Sequence, residues 1–566
     1  MSEDYSLRSD QTDPERACDP ITVAVIASAL STIAEKMGKS IIRSAYSTNI
    51  KERQDCSTAV FDPQGRTVAL AEHIPIHLGS LMGIAKYVLE HSDVSDLRAG
   101  DAYIGNDAYT GGGTHLNDFV LMEPVFFGGA LVAWVANLAH HSDFVDRGHK
   151  HIFQEGLRIP PVRLYRAGVL QADIQALILL NCQVPKERIH DLSAQMAANR
   201  LSVQRVQGLC AKYGVPLLAQ AANEFLLATE LRTRAGIAGI PDGVYTFSHP
   251  FDSNLIDNII DLKVAVTVRG EEIFFDFPDA PAQMPAPINM VYTALLATVY
   301  FAVKAMIDPA IVVNEGFYRA IHVSAAEGSV LNARAPGAVY SRTDIATRLV
   351  DMIFAALARV IPERVAAGST GGTLLTTSGI HPHTGRFYVY NEMQGGGMGA
   401  RVGKDGLDGV QVNITNTANL PVEALETEHP FQIESYALVQ DSGGAGKFRG
   451  GMPVCRRVRI LDHEATLSAG GTSREIAPFG LEQGRAGSVA RVGLPPGAQP
   501  LHHRSGVLQA GEWIEMIAAG GGGFGDPQQR DRQRVCRDLL EERISRQAAI
   551  EIYGLTDAEL KEAGFG

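Results

Sequence analysis

The sequence predicts an α+β protein of several domains, with mixed β-sheets and packed helices leading into a glycine-rich, β-rich C-terminal half. Three observations carry that expectation. Of the 566 residues 45% are hydrophobic and 20% charged, which supplies apolar surface for more than one core. Over the first half, apolar residues at helical spacing (Ile21, Val25, Leu30, Ile33, Met37, Ile41) give way to short strand-like runs and back again. In the second half, Gly371-Gly372, Gly395-Gly396-Gly397, Gly443-Gly444 and Gly450-Gly451 interrupt short β-like segments, as tight turns and close backbone approach require.

Residues 1–19 read as a polar tail without the basic-then-apolar order of a signal peptide. Asp19-Pro20 then opens the first helix, proline suiting a first helical turn. Cys56 to Phe61, the turn residues Asp62-Pro63-Gln64-Gly65-Arg66 and Thr67 to Leu70 form a hairpin. Ala102-Tyr103-Ile104 and Val120-Leu121-Met122 read as short strands, and the almost wholly apolar Leu131 to Leu138 as a buried strand that delivers His140 at its end. Asp191 is placed to cap a helix carrying Leu192, Met196, Val203, Val206 and Cys210, stopped by Gly214 and Pro216. These elements make an N-terminal α+β domain over 20–235. Pro241-Asp242-Gly243 turns into a central α+β domain over 236–440, in which Ile345, Leu349, Ile353, Leu357 and Ile361 mark a helix ended by Pro362. A β-rich region over 441–525 follows, and 526–566 reads as a charged helical tail.

Several function classes are excluded. A formal net charge of −13 without clustered Lys and Arg argues against a nucleic-acid surface. No apolar run approaches the about 20 residues of a membrane span, so a cytoplasmic, membrane-free protein is expected. Cys18, Cys56, Cys182, Cys210, Cys455 and Cys536 show no paired spacing, which disfavours a disulfide framework or a zinc knuckle. There is no G-x-x-x-x-G-K-[ST] phosphate loop; Gly443-Gly444-Ala445-Gly446-Lys447 lacks its spacing and its hydroxyl. Gly520 to Gly525 fits G-x-G-x-x-G by density alone and is followed by Asp526-Pro527, a turn or backbone clamp rather than a dinucleotide site. A G-x-S-x-G elbow is absent.

The chemistry concentrates in Asn106 to Asp118 and in His140-His141-Ser142-Asp143. Gly111, Gly112 and Gly113 allow the backbone to curl so that His115 and Asp118 face one point, and His140 joins them from a buried strand where a bare imidazole is costly. Two nitrogens and a carboxylate suit zinc, manganese or iron with positions left open for water or substrate. The blander alternative makes them capping groups of a polar loop. His141 and Asp143 are candidates to orient a ligating imidazole. His73 and His77 are candidates to line the same cleft, and Asn106 and Asp107 to bind substrate there.

At these residues the chain resembles the hydantoinase B/oxoprolinase family, over about Pro20 to Tyr553. The resemblance rests on Glu52-Arg53-Gln54-Asp55-Cys56-Ser57, Asn106-Asp107-Ala108-Tyr109, Gly112 to Asp118, Glu155 to Pro161, Asp191 to Gln195, Asp276-Phe277, Ile288-Asn289 and Gly521 to Pro527. It departs at Ala108, where the family commonly has proline, at Cys56, where an aromatic residue is common, and around Phe251-Asp252-Ser253-Asn254. What the resemblance implies is a β subunit that works with a hydantoinase A-like ATPase. That partner binds ATP and phosphorylates a carbonyl oxygen; this chain completes the opening of a cyclic amide such as a hydantoin, 5-oxoproline or lactam. The resemblance further implies a divalent metal, zinc first and manganese or iron as alternatives, on His115, Asp118 and His140, activating water. Asp55, His141 or Asp143 would steer the proton, and the assembly would be a hetero-oligomer such as α2β2. The competing expectations are a subunit of an ATP-dependent ketone carboxylase and a scaffold that regulates its ATPase.

Overall fold

Asp19 accepts hydrogen bonds from the Thr22 amide and hydroxyl, both at 3.0 Å, and Pro20 takes the first position of α1 (Pro20–Ser44). The computed structural model describes residues 18–566 except 72, 146, 498–500, 502–504, 563 and 566. All but the last two residues of the expected polar tail lie outside the described residues. By length and composition α1 is apolar enough to cross a membrane, yet Ile26, Leu30, Ile33, Met37 and Ile41 are buried in a protein core. Here an apolar helix covers a sheet.

A single turn α2 (Thr48–Lys51) leads to the expected hairpin, β1 (Cys56–Phe61) and β2 (Thr67–Ala71). Then come α3 (His77–His91), β3 (Ala102–Gly105), β4 (Asp118–Phe127), β5 (Ala130–His140), β6 (Val162–Arg166) and β7 (Val169–Leu170). The seven strands form one antiparallel sheet, ordered β2-β1-β5-β4-β3-β6-β7. Apart from Asn137 and the terminal His140, β5 is apolar because both faces are covered: Trp134, Ala136 and Leu138 meet Leu81, Ile84 and Val88 of α3, whereas Val135 and Ala139 join the core of α1. Its register sets Asp118 opposite His140, and Ala139 opposite Cys56. The beginning of β4, the end of β5 and the residue before β1 thus meet at one end of the sheet.

The first unit closes with α4 (Ala172–Leu180), α5 (Pro185–Tyr213) and α6 (Val215–Ala238). α5 starts at Pro185, so Asp191 is not its cap; buried within the helix, its carboxylate accepts the Tyr46 and Ser47 amides at 2.7 and 3.1 Å. Gly214, at φ +78°, ends α5 as expected. α6 runs through the boundary expected near 235.

Next are β8 (Gly243–Phe251), β9 (Ile260–Arg269), β10 (Glu272–Asp276), α7 (Tyr292–Ile307), α8 (Glu315–Tyr318), β11 (Ile321–Ser324) and α9 (Thr343–Leu357). The four strands pair as β11-β10-β9-β8. α9 ends at Leu357, a turn earlier than its apolar spacing suggests, and Pro362 lies in a separate 3-10 turn. The core under this sheet also takes in Ile74, Ile76 and Leu78 from the first unit and Ile414 from beyond it.

The C-terminal half holds β12 (Thr373–Ile380), β13 (Phe387–Met393), α10 (Val422–Glu428), β14 (Phe431–Leu438), β15 (Val454–Ile460), β16 (Ala465–Gly471), β17 (Arg491–Gly493), β18 (Ser505–Leu508) and β19 (Trp513–Ile517). They build two four-stranded sheets, β13-β12-β16-β18 and β14-β15-β19-β17, whose apolar side chains share a core. β14 pairs with β15, so a boundary at 440/441 would cut through a continuous sheet. The tail carries the short helices α11 (Arg532–Leu540), α12 (Arg546–Glu551) and α13 (Asp557–Glu562).

The repeated glycines pack main chain on main chain. Gly397 donates to Ala519 O at 3.0 Å, Gly521 to Gly451 O at 2.9 Å, Gly522 to Gly368 O at 2.7 Å and Gly444 to Gly521 O at 2.8 Å. The Gly520 to Gly525 run is therefore a hydrogen-bonded joint between backbone segments, buried from Gly520 to Phe524.

Candidate metal centre and its pocket

The loop ahead of β4 is folded by its own polar groups. Asp107 Oδ1 accepts the Tyr109 and Thr110 amides and the Thr110 hydroxyl, and its other oxygen pairs with Arg158. Asn106 donates to Leu116 O at 2.8 Å and Leu157 O at 2.9 Å and accepts Ile159 N–H at 2.7 Å. A Cβ on Gly112 would lie 2.6 Å from Asn106 N, and one on Gly113 2.4 Å from Asn106 O. Asn106 and Asp107, expected to bind substrate, shape the loop with these bonds, and neither borders the cavity that His115 and His140 line.

That loop delivers His115 and Asp118 as the sequence suggests, and β5 delivers His140. One ligand atom from each of His115, Asp118 and His140 lies within 4.8 Å of the others. His115 Nε2 is 3.1 Å from Asp118 Oδ1, and the rings of His115 and His140 are 4.9 Å apart. The Asn49 amide holds His140, its Nδ2 lying 2.7 Å from the His140 carbonyl and 3.1 Å from Nδ1. Asp118 Oδ2 accepts from Arg342 at 3.1 Å and from Thr114 at 3.2 Å, and Arg342 also donates to Thr114 at 2.9 Å.

Burial and the Arg342 guanidinium keep His115 below the usual imidazole range; burial and then His115 keep His140 well below it. Burial pushes the Asp118 carboxyl up, but His115, Arg342 and His77 outweigh it and hold it well below the usual carboxylate range. Two neutral imidazoles and an ionised carboxylate on converging atoms are a donor set that fits a divalent zinc, manganese or iron ion.

His115 and His140 border a cavity of about 80 Å³ whose wall also holds Asp55, His77, Arg53, Arg147, Tyr340 and Arg342, while Asp118 itself is fully buried. His77, in the first turn of α3, is 3.4 Å from Asp55 and 3.8 Å from Asp118, with Ser57 Oγ 3.1 Å from its Nδ1. Burial brings His77 down to about 4 and raises Asp55 to about 7, the latter against the pull of Arg53. Asp55 and His77 thus both stand on the wall that His115 and His140 share.

Three expected residues are elsewhere. His73 packs against Gly38 of α1 and does not border the cavity. His141 follows His140 on an extended chain and so turns to the opposite side, its Nε2 2.8 Å from Gln195 of α5 and its ring against Phe119. Asp143 pairs with Arg188 and accepts the Gln183 amide at 3.0 Å, beside a separate cavity. Neither His141 nor Asp143 borders the cavity that His115 and His140 line. In their place the structure brings Arg53, Arg147, Tyr340 and Arg342, which the sequence reading did not single out for the site; Arg53 alone carried a signal, two residues before Asp55 in a family-like motif.

Known proteins resemble the chain over nearly its whole length. The B subunit of a putative D-/L-hydantoinase from Pseudomonas sp. (strain NS671) is 29% identical over 585 residues, covering 97% of each chain. The structure of the ATP-dependent caprolactamase from Pseudomonas jessenii superimposes with a TM-score of 0.86 at 26% identity, covering 96% of this chain and 98% of that one. An acetone carboxylase in its nucleotide-free structure gives the same TM-score at 18% identity, over 96% and 82%, a likeness of fold alone. A family model, Hydantoinase B/oxoprolinase, matches residues 19–527, and the chain belongs to that family.

Proposed function

We propose that this chain is the hydantoinase B-like subunit of a cytoplasmic, ATP-dependent amidohydrolase, which opens a cyclic amide after a hydantoinase A-like partner has phosphorylated the carbonyl oxygen. The observation that carries this reading is the convergence of His115, Asp118 and His140, with His115 and His140 on the wall of one cavity together with the Asp55 carboxyl and three arginines. His115, Asp118 and His140 would hold the divalent ion, zinc first and manganese or iron as alternatives. When bound, the ion supplies Lewis acidity for activating water at neutral pH. The names of the relatives, the B subunit of a putative hydantoinase and an ATP-dependent caprolactamase, support both the partner and the amide substrate. An α2β2 assembly satisfies the need for both subunits.

The residues divide the work. An amide resists water because resonance stabilises it, and phosphorylation of oxygen removes that protection. The acyl phosphate left on the opened chain is hydrolysed by a further water to a carboxylate and inorganic phosphate. In the ring opening itself, water added to the activated carbon gives up a proton, and breaking the ring C–N bond consumes one at nitrogen. Asp55, poised near neutrality and inside the cavity, can accept the first and return the second. Arg342 fixes Asp118 Oδ2, leaving Oδ1 toward His115.

The test is the purified chain with its ATPase partner, ATP and a panel of hydantoins, 5-oxoproline and lactams. ATP-dependent ring opening that disappears in His115→Ala, with assembly intact, is the expected result. Unchanged turnover in that variant would leave the chain a scaffold. The acetone carboxylase fold keeps a carboxylase as second reading; bicarbonate incorporation into ketones without lactam opening would establish it.

Asp55 also gives a pH prediction. As the base, it must be ionised, so kcat/KM should fall as pH drops below about 7, and Asp55→Asn should remove that limb together with most of the activity. Stability of the metal-free protein should run the other way. A carboxyl raised in the folded state keeps a proton that the unfolded chain releases between about 4 and 7, so stability falls as pH rises through that window. Denaturant midpoints from pH 4 to 8 should show Asp55→Asn gaining on wild type toward pH 8; parallel curves would contradict the assignment.

A further inference from the structure

Of the three arginines on the cavity wall, two have carboxylate partners. Arg342 meets Asp118 at 3.1 Å, and Arg147 meets Asp344 at 3.5 Å. Arg53 has none within 4.0 Å among the described residues, although only 5% of it is exposed. Its Nη1 donates to Asn49 Oδ1 at 2.7 Å and to the Asn391 carbonyl, and its Nε, also buried, has no hydrogen-bond partner. A guanidinium is always charged and presents five donors in a planar fork. Arg53 acts on the Asp55 carboxyl without an ion-pair contact, and a buried guanidinium whose Nε is left unbonded is costly unless an anion arrives to satisfy it.

We propose that Arg53 is the receptor for a phosphoryl oxyanion that the substrate carries into this cavity. The inference rests on the proposed function and adds to it the group by which the activated substrate is recognised. The cavity, at about 80 Å³, is several times the roughly 10–15 Å³ that one water occupies by the same measure. Arg53 can offer its free Nε edge to two phosphoryl oxygens, the bidentate geometry that guanidinium and phosphate share. The second half of the argument is position. Asn49, which binds Arg53 through its oxygen, binds His140 through its nitrogen, so a single side chain links the anion receptor to a residue of the metal cluster. Occupation of Arg53 places the phosphorylated carbon beside His115, Asp118 and His140 and holds Asn49 against His140. A carboxylate on the substrate would offer a similar pair of oxygens with less charge, and binding separates the two.

The experiment is titration of the full-length chain, stripped of metal with a chelator, with inorganic phosphate and in parallel with acetate, by calorimetry and thermal shift. It needs neither ATPase partner nor cyclic amide, so it can fail while ring opening stands, and the reverse. Wild type should bind phosphate more tightly than acetate and be stabilised by it. Arg53→Gln should lose at least tenfold in phosphate affinity, and Arg53→Lys, which keeps the charge without the fork, should fall between. Circular dichroism and the unliganded melting temperature check that the variants fold; should Arg53→Gln fail to fold, Arg53→Lys and the wild-type titrations decide. Wild type that ignores phosphate, acetate that binds as tightly as phosphate, or folded arginine variants with wild-type phosphate affinity would overturn the proposal.

Discussion

Gly397→Ala is expected to abolish soluble, folded protein. A Cβ at this position would lie 2.0 Å from Gly451 O and 2.3 Å from Gly521 N, both main-chain atoms. Neither neighbour can retreat: Gly451 N–H donates to Met398 O at 2.8 Å, and Gly521 N–H donates to Gly451 O at 2.9 Å, so moving one segment breaks the bonds of the next. One methyl group therefore costs overpacking and several buried hydrogen bonds together, more than about 4 kcal/mol against a total stability of about 5–15 kcal/mol. Gly208→Ala is the control. It lies inside α5 with nothing within 4 Å of its added Cβ, and should stabilise by about 0.5–1 kcal/mol through helix propensity. Soluble yield and guanidinium midpoints measure both. A Gly397→Ala protein within about 1 kcal/mol of wild type would show that the glycine segments yield more readily than their hydrogen bonding indicates.

These glycines also show what a sequence can and cannot disclose. Their density indicated close backbone approach, because only glycine allows it, but not that the partners would be other glycine segments more than a hundred residues away, as Gly397 and Ala519 are. The site divides in the same way. His115, Asp118 and His140 were legible because a loop, a strand start and a strand end confine them locally, and the antiparallel register does the rest. His141 follows from alternation: adjacent residues on an extended chain face opposite ways, so His140 turns to the cluster and His141 to Gln195. Asn106 and Asp107 have the composition of ligands and the behaviour of turn residues, since short polar side chains satisfy the nearest main chain first. Arg342 was not legible. It comes from 224 residues beyond Asp118, just ahead of α9, and no local spacing announces a partner supplied by another sheet's helix.

That distant arginine makes Asp118 the residue whose loss should have the largest effect on the site. Asp118→Ala removes the carboxylate that faces Arg342 at 3.1 Å, His115 at 3.1 Å, Thr114 at 3.2 Å and His77 at 3.8 Å. Arg342, only 3% exposed, would be left without a carboxylate within 4.0 Å among the described residues, and stranding a buried charge costs about 3–5 kcal/mol. The variant should therefore lose both turnover and stability, the latter even in chelated protein. Asp118→Ala with Arg342→Met separates the two effects. Removing both members of a buried pair is commonly neutral, so the double variant should regain most of the denaturant midpoint while divalent-metal content and ATP-coupled ring opening stay near zero. Asp118→Asn, which keeps shape but not charge, should fold and bind little metal. Ring opening by the double variant at the wild-type rate would show that Asp118 serves only to neutralise Arg342; recovery of the fold without recovery of metal or turnover would place the Asp118 carboxylate in the chemistry itself.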